Sequence, residues 1–248
     1  MNQIYAYDSA FQNMAAAGSA HAARRIISIV RTIMPVASVL DVGCARGTWL
    51  RQWREQGVSG ITGIDGDYVD RGRLEIAEEN FLVHDLAHPF NLGRRFDLAQ
   101  SLEVAEHLPP ACAASFVAGL VSHAPAVLFS AAPPGQGGEN HINEQPGQYW
   151  RDLFLTHDHV AIDCIRPLLA HEPAMPAWYR YNMLLYVQRD CLDLIAPFAR
   201  QFLLGDRDPV PDWSPLRYRL RKTIVRSLPE TLRNRLAQWN ARRFPDAA

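Results

Sequence analysis

Short apolar runs alternate with amphipathic segments along most of the chain. An apolar stripe over residues 19–34 predicts a helix that ends at Pro35. Compact apolar runs bounded by turn residues predict strands at 38–42, 60–64, 81–83, 96–101, 126–130, 159–165 and 182–187. Further helices are predicted at 48–56, 110–123 and 149–156.

This alternation of strands and helices determines the expected fold class. It predicts an α/β protein with a doubly wound, Rossmann-like, seven-stranded sheet that is mostly parallel and covered by helices on both faces. Residues 1–189 form the predicted domain, with residues 1–35 as a helical lead-in. Residues 190–248 fall outside the alternation and are predicted to be a helical, basic C-terminal extension.

The C-terminal extension combines an apolar stripe with many arginines. Apolar residues recur every fourth position at Leu216, Leu220, Ile224, Leu228, Leu232 and Leu236. Basic residues outnumber the single acid, Glu230, between positions 217 and 243. We favour helices that pack on the domain, because Pro229 interrupts the stripe. The alternative is a basic helix that contacts a membrane surface or a protein partner.

Composition places the chain among ordinary globular proteins. Hydrophobic residues make up 48% of the sequence and charged residues 21%, and the formal net charge is -1. No nucleic-acid partner is expected from this charge balance. The four cysteines (Cys44, Cys112, Cys164 and Cys191) are too widely spaced for a zinc or disulfide framework. With no signal-peptide pattern, a cytoplasmic location is expected, with a membrane-peripheral position as the alternative that the extension leaves open.

Candidate chemistry begins at the turn after the first strand. Gly43 and Gly47 flank a tight turn between the strand and the next helix, where the backbone can approach a ligand closely. The helix N-terminus would hold a carboxylate and Asp41 would face an ammonium group. Asp65, 24 residues after Asp41, ends the second strand and would accept both hydroxyls of a ribose. Asp85, after the third strand, would accept from an adenine amino group.

Together these motifs resemble those of class I methyltransferases. The resemblance covers residues 19–188 and rests on segments 39–50, 63–67, 84–86 and 96–108. It implies that S-adenosylmethionine is the cofactor, with its methionine end at Asp41, Gly43 and Gly47, its ribose at Asp65 and its adenine at Asp85. It also implies cofactor contacts at Cys44, Gly66, Leu86 and Ser101.

One position departs from the D-x-G-x-G-x-G pattern of this family. Ala45 stands where the middle glycine is expected, and a methyl group is tolerable there if the local φ is negative. A dinucleotide such as NAD(P) is the main competing ligand, but the G-x-G-x-x-G turn that it prefers is missing.

An acidic and histidine cluster follows the fourth strand. If the chain coils there, Glu103, Glu106 and His107 share one face and can hold Mg²⁺ or a similar divalent metal. The E-x-x-E-H pattern resembles metal-dependent O-methyltransferases of ubiquinone biosynthesis and small-RNA 2′-O-methyltransferases. The RNA enzymes have a further histidine in a downstream loop, and the resemblance implies His141 as its counterpart here. We predict catalytic roles for Glu103, His107 and His141. Without a metal, His107 would be a general base or a structural contact.

Residues after the fifth strand are the candidate acceptor site. The Gly/Pro-rich loop 132–147 is long and leaves the predicted catalytic edge, which favours a functional role. The substrate contacts expected there are Asn143, Glu144, Gln145, Tyr149 and Trp150. Tyr179 and Arg180 belong to a W-Y-R-x-N segment that resembles methyltransferase domains associated with surface-polysaccharide and natural-product gene clusters. Ordinary strand-start residues are an equally weighted interpretation of that segment.

The leading functional hypothesis is O-methylation of a hydroxyl on a sugar, glycoside or natural-product-like small molecule. The partner expected is therefore a small-molecule or glycan acceptor. An RNA or protein methyltransferase is the first alternative, although few basic residues are predicted around the cleft. A non-catalytic, methyltransferase-like subunit is the second, and retention of Asp41, Asp65 and Asp85 argues against it.

Overall fold

The computed structural model describes residues 9–229, 231–232 and 235, and the side chains among them from residue 19 onward. Its strands are β1 Ser38–Val42, β2 Gly60–Asp65, β3 Phe81–Val83, β4 Leu98–Leu102, β5 Ala126–Ser130, β6 His159–Ile162 and β7 Leu184–Gln188. Its α-helices are α1 Ser9–Ile33, α2 Thr48–Glu55, α3 Ala113–His123, α4 Gly147–Leu155, α5 Arg166–Leu169, α6 Ala177–Asn182, α7 Pro197–Arg200 and α8 Leu216–Arg226.

All the named strands join one sheet in the order β3-β2-β1-β4-β5-β7-β6. Every pairing is parallel except those of β7, which runs antiparallel to both β5 and β6. Helices α1 and α2 cover one face of the sheet and α3 and α4 the other, each over its own apolar core. The predicted doubly wound, mostly parallel, seven-stranded α/β fold is confirmed.

This strand order places the functional edge. The chain proceeds from β1 to β2 and β3 on one side of the sheet and then returns to place β4 on the other side of β1. In doubly wound folds, ligands bind at the carboxyl ends of the strands beside such a reversal of strand order. The turn after β1 and the segment after β4 therefore lie side by side.

The strand predicted at 96–101 is observed at Leu98–Leu102, and two other predicted strands differ for a reason that the structure shows. The strand expected at 159–165 ends at Ile162, because Asp163 turns its carboxylate to Arg166 in the first turn of α5. The strand expected at 182–187 starts only at Leu184, because residues 177–182 form helix α6 after Pro176. The W-Y-R-x-N segment is thus helical, and its interpretation as the start of a strand is wrong.

A buried ion pair ties the C-terminal segment to the domain. Arg166 donates to both carboxylate oxygens of Asp163 at 2.7 Å, and both side chains are buried. Asp163 also accepts from the indole of Trp213 at 2.8 Å, while Arg166 donates to the carbonyl of Pro211 at 3.0 Å. These contacts position the residues that lead into α8.

The apolar stripe of the extension is exposed. Leu216, Leu220 and Ile224 are 71%, 56% and 64% exposed, while the opposite side of α8 covers the loop after β5. Packing of the stripe on the domain is therefore wrong for these residues, and Leu236 lies outside the described residues. Contact of this stripe with a membrane or a protein stays a prediction. Within the described part of the chain, no helix has the length and apolar character needed to cross a membrane.

The Asp163→Ala substitution tests the buried ion pair of Asp163 and Arg166. It leaves the Arg166 guanidinium buried without its carboxylate, which costs about 3 to 5 kcal/mol for a buried pair. Chemical denaturation should show a loss of this size in the free energy of unfolding. Asp193→Ala is the matched control, because Asp193 forms an exposed pair with Arg200 and should change stability little. Equal effects of the two substitutions would contradict the assignment.

Candidate active site

Two buried carboxylates lie at the carboxyl edge of the sheet. Asp41 is 4% exposed within β1 and Asp65 is 3% exposed at the end of β2. Neither forms an ion pair with a basic residue among those that the structure describes. A site with two buried acidic groups and no basic partner favours a cationic ligand.

Asp65 is held by hydrogen bonds from the chain itself. Its carboxylate accepts from the backbone N–H groups of Ala45 and Gly66, each at 2.7 Å, and from the hydroxyl of Tyr68. The bond from Ala45 links the end of β2 directly to the turn after β1. Two sugar hydroxyls could replace the Tyr68 hydroxyl at this carboxylate, which fits the predicted ribose contact.

Burial changes the acidity of both groups. It raises the pKa of Asp41 to about 7; the Gln100 side chain partly offsets this, and the charge of Asp65 adds to it. Burial also raises the pKa of Asp65, and the bonds from Tyr68, Ala45 and Gly66 reduce the shift. A bound cation would relieve this cost, because it favours the ionised forms.

Each of the two glycines in the turn after β1 lies too close to a different side chain to carry a β-carbon of its own. Gly43 has a φ of 86°, and a β-carbon there would lie 2.4 Å from a methyl group of Val104. Gly47 has a φ of 83°, and a β-carbon would lie 2.9 Å from the side chain of Ile76. The glycines therefore allow close packing of protein side chains as well as a tight turn.

Ala45 corrects the expectation about the missing glycine. Its φ is 48°, in the left-handed region, so the condition of a negative φ is not met. The residue is exposed, so its methyl group gains little packing in return. The turn keeps the conformation of a glycine position at the cost of backbone strain.

The remaining predicted cofactor residues have different environments. Cys44 is buried beside the two carboxylates, and burial together with their charges raises the pKa of its thiol well above the usual value. Leu86 and Ser101 are also buried. Asp85 is exposed at the end of β3, where it caps the backbone N–H of Ala87 at 3.0 Å. Its predicted contact with adenine stays a prediction.

Glu103 is separated from the other members of the acidic cluster. It has a φ of 56°, so the chain does not continue as a helix and Glu103 does not share a face with Glu106. Its carboxylate accepts from the amide groups of Gln136 at 2.7 Å and Asn182 at 3.1 Å. Among the described residues, the group of side chains close enough to share a metal ion does not include Glu103, which stays a predicted catalytic residue outside that group.

Glu106, His107 and His141 do come together. One ligand atom from each lies within 4.8 Å of the others. The Glu106 carboxyl is completely buried and its oxygens have no hydrogen-bond partner of good geometry, and burial together with the charge of Glu103 raises its pKa. The two imidazole rings meet edge to face at 4.8 Å. Three of the four predicted metal ligands thus form one cluster.

Hydrogen bonds orient both histidines. His107 Nδ1 lies 3.2 Å from the carbonyl oxygen of Asn140, and His141 Nδ1 lies 3.0 Å from a carboxylate oxygen of Glu144. Because both partners are acceptors, each neutral ring carries its proton on Nδ1 and its lone pair on Nε2.

The acidity of His107 distinguishes between its predicted roles. Burial and the neighbouring His141 lower the pKa of His107 to about 3, against a small opposing effect of the Asn140 carbonyl. A general base works best when its pKa is near the working pH, so this ring is poorly suited to that role. A permanently neutral imidazole is well suited to bind a metal.

The loop after β5 is organised by its own polar side chains. Glu144 accepts from the backbone N–H groups of Gly135 at 2.8 Å and Gly137 at 2.7 Å. Burial raises the pKa of Glu144, but these bonds and the one from His141 outweigh it and the net shift is downward. Asn143 is buried and donates to the carbonyl of Ala105 at 3.2 Å. Both residues shape the loop.

Two predicted substrate contacts are core residues. Trp150 is 2% exposed and packs against Phe129, so it cannot contact an acceptor directly. Tyr179 is 7% exposed and its hydroxyl hydrogen-bonds to Ser19 at 3.0 Å. Both side chains are large and pack into the core. The sequence motif alone does not show whether such an aromatic side chain is buried or faces a ligand. Gln145 and Tyr149 are partly exposed and remain candidates.

Arg180 lies at an open cleft that the sequence did not predict. Helices α6 and α8 enclose about 310 Å³ between Arg180, Tyr181, Arg217, Tyr218 and Arg221. The cleft adjoins the loop after β5, because Arg221 donates to the carbonyl of Gln136 at 2.8 Å. The expectation of few basic residues near the site is wrong.

Other polar residues at the site were also missed. Gln100 is paired with Asp41 in the register of β1 and β4 and is fully buried. A glutamine in the middle of an otherwise apolar strand was the available signal. Gln136 and Asn182 gave no such signal, because they meet Glu103 only through the tertiary fold.

Comparison with known proteins identifies the domain. A family model described as a methyltransferase domain matches residues 14–164. Streptomyces venezuelae DesVI is 15% identical and superposes with a TM-score of 0.53 over 69% of this chain and 92% of its own. The sugar N-methyltransferase KedS8 from a Streptoalloteichus species is 16% identical, with a TM-score of 0.52 over 70% of this chain and 88% of its own. No curated protein sequence matches the chain significantly.

The Ala45→Gly substitution tests the strained turn. Glycine adopts a positive φ without the steric cost that alanine carries, so the variant should gain about 1 kcal/mol in free energy of unfolding. The matched control is Ala114→Gly, at an exposed position inside helix α3, which should lose about 0.5 to 1 kcal/mol. Urea denaturation measures both, and a loss in both variants would contradict the strain.

The Asp41→Asn substitution tests the buried charge. A pKa of about 7 in the folded state, above the ordinary value of an aspartate, means that ionised Asp41 destabilises the fold and that this cost grows as pH rises toward 7. The asparagine variant should be more stable than the parent at pH 8, and this advantage should shrink at pH 5. The exposed Asp67→Asn is the control and should show no such pH dependence. An advantage that is equal at both pH values would contradict the raised pKa.

Proposed function

The chain belongs to the class I S-adenosylmethionine-dependent methyltransferases, and on this premise we propose that it methylates a hydroxyl of a sugar-like or natural-product-like small molecule with the help of a divalent cation. The observation that carries the proposal is the cluster of Glu106, His107 and His141 beside the cofactor edge. A buried carboxylate and two imidazoles are a donor set for a divalent ion.

The cofactor residues fit a cationic methyl donor. Asp41 and Asp65 are buried at adjacent strand ends without basic partners among the described residues, and Asp65 presents the oxygens that a ribose would bind. S-adenosylmethionine carries a sulfonium and an ammonium group, and it supplies the methyl group that is transferred. Burial of both carboxylates gives these charges a stronger interaction than an exposed pair would.

The proposed metal ligands also have the supporting contacts that such sites use. Metal-binding histidines donate their second ring N–H to a carbonyl or carboxylate, which fixes the tautomer and the ring orientation. His107 has the carbonyl of Asn140 in this role and His141 has the carboxylate of Glu144. The buried Glu106 oxygens have no hydrogen-bond partner of good geometry, and a cation would give this carboxylate a partner of opposite charge. A divalent cation held there would lower the pKa of an acceptor hydroxyl.

The protein's own residues would position the acceptor. Glu103 directly follows β4, and the next residue, Val104, packs against the turn at Gly43. The Glu103 carboxylate accepts a hydrogen bond from Gln136, so it lies between that turn and the loop after β5. There it can accept a hydrogen bond from an acceptor hydroxyl and hold it for in-line attack. Correct alignment of two reactants supplies a large part of the rate gain in such transfers.

Metal dependence tests the proposal. Titration calorimetry should show Mn²⁺ binding to the protein, and His141→Ala and Glu106→Gln should each abolish it. Glu144→Gln should weaken it about 10- to 100-fold, because it replaces the charged acceptor that orients His141 with a neutral amide. The exposed His171→Ala is the matched control and should bind Mn²⁺ like the parent. Full binding by the His141 and Glu106 variants would contradict the metal site.

Product analysis tests the reaction. A panel of hydroxylated and aminated sugars would be incubated with S-adenosylmethionine, and S-adenosylhomocysteine release and product mass spectra recorded with Mn²⁺ or with chelator. O-methylated products that need the metal support the proposal. Products methylated on nitrogen, or turnover that chelator leaves unchanged, would contradict it.

A further inference from the structure

The cleft between α6 and α8 is lined by several arginines that have no carboxylate partner among the described residues. Arg180, Arg217 and Arg221 line it, and none of them forms an ion pair with a carboxylate in the described part of the chain. The nearest acid of that segment, Asp212, is already engaged by Lys222 at 2.8 Å and by Arg219 at 3.8 Å. The positive charge of the cleft is therefore not neutralised by the protein.

One N–H group of Arg180 has no hydrogen-bond acceptor among the described residues. Its Nε is buried and has no acceptor, although its guanidinium lies over the ring of Tyr181 at 4.9 Å. A buried donor without a partner costs free energy that a ligand acceptor can restore. Arg217 and Tyr218 lie in the first turn of α8, where the positive end of the helix dipole adds to the arginine charges.

The cleft is connected to the reaction site by hydrogen bonds. Arg221 donates to the carbonyl of Gln136, and the side chain of Gln136 donates to Glu103 at 2.7 Å. The charge of Glu103 also contributes to the pKa of Tyr218, which burial raises to about 12. An anion in the cleft would therefore place whatever is attached to it near Glu103.

From this geometry we infer that the cleft binds a phosphate group carried by the methyl acceptor, so that the substrate is a phosphorylated sugar or a related phosphate ester. One guanidinium group can donate two parallel hydrogen bonds to two oxygens of a phosphate, and this makes arginine the favoured residue for phosphate recognition. A volume of about 310 Å³ accommodates a phosphate together with part of the attached sugar. The inference rests on the proposed acceptor methylation and adds the class of acceptor.

Calorimetry with defined probes tests the inference. Inorganic phosphate, a hexose 1-phosphate and the corresponding unphosphorylated methyl glycoside would be titrated into the full chain with S-adenosylhomocysteine present. The hexose 1-phosphate should bind, and Arg217→Ala and Arg180→Ala should each weaken it about tenfold, the loss of one charge-assisted hydrogen bond. Arg207→Ala, which removes an exposed arginine outside the cleft, is the matched control and should leave the affinity unchanged.

The outcomes separate the two proposals. Cofactor binding is measured in the same variants, and a variant that binds S-adenosylhomocysteine normally but loses the hexose 1-phosphate supports the cleft assignment. The exposed Arg217 keeps the test valid if the half-buried Arg180 cannot be replaced. Inorganic phosphate binding as tightly as the hexose 1-phosphate would assign the cleft to free phosphate and overturn the acceptor inference. Tighter binding of a single-stranded oligoribonucleotide would overturn it in favour of a nucleic acid. If phosphorylated and unphosphorylated sugars bind alike, the inference fails while the proposed O-methylation stands.

Discussion

The burial of two carboxylates at one edge of the sheet is the constraint on which the rest of the site depends. Asp41 and Asp65 lie near the ends of neighbouring strands, and burial is the largest cause of the raised pKa of each. Such a pair destabilises the fold in the absence of a cation. Two backbone N–H groups and a tyrosine hydroxyl offset part of this cost at Asp65, whereas Asp41 has only the Gln100 side chain. The two buried charges therefore lower the stability of the apo protein, and a bound cationic cofactor would recover that free energy.

Much of this edge could be predicted from sequence because it is local. Each strand of a parallel sheet is buried on both faces, so it is visible as a short apolar run, and the residue that ends the run must lie at the carboxyl edge. Asp41 and Asp65 were placed in this way, and the structure has both at the predicted strand ends. The polar partner of Asp41 was equally visible, as a glutamine inside β4.

The errors arise where backbone conformation or distant packing decides. The spacing of Glu103 and Glu106 suggests one helical face, but a positive φ at Glu103 redirects its side chain toward residues 33 and 79 positions away in the chain. The same limit applies to Ala45, whose left-handed conformation is imposed by the turn. An i, i+3 pattern is informative only when the chain between the residues is helical, and the sequence could not show that it is not.

The C-terminal segment shows how far the site extends beyond the recognisable domain. The family model ends at residue 164, yet the cleft that we propose for the acceptor is bounded by α6 and α8. The buried pair of Asp163 and Arg166 fixes the chain that leads into α8, and Arg221 of α8 then holds the backbone of Gln136, the residue that orients Glu103. The carboxyl edge of the sheet is common to the fold, whereas the residues that we propose select the acceptor come from a segment attached by a few polar contacts. On this proposal, specificity can change through α8 without any change at the carboxylates proposed to bind the cofactor.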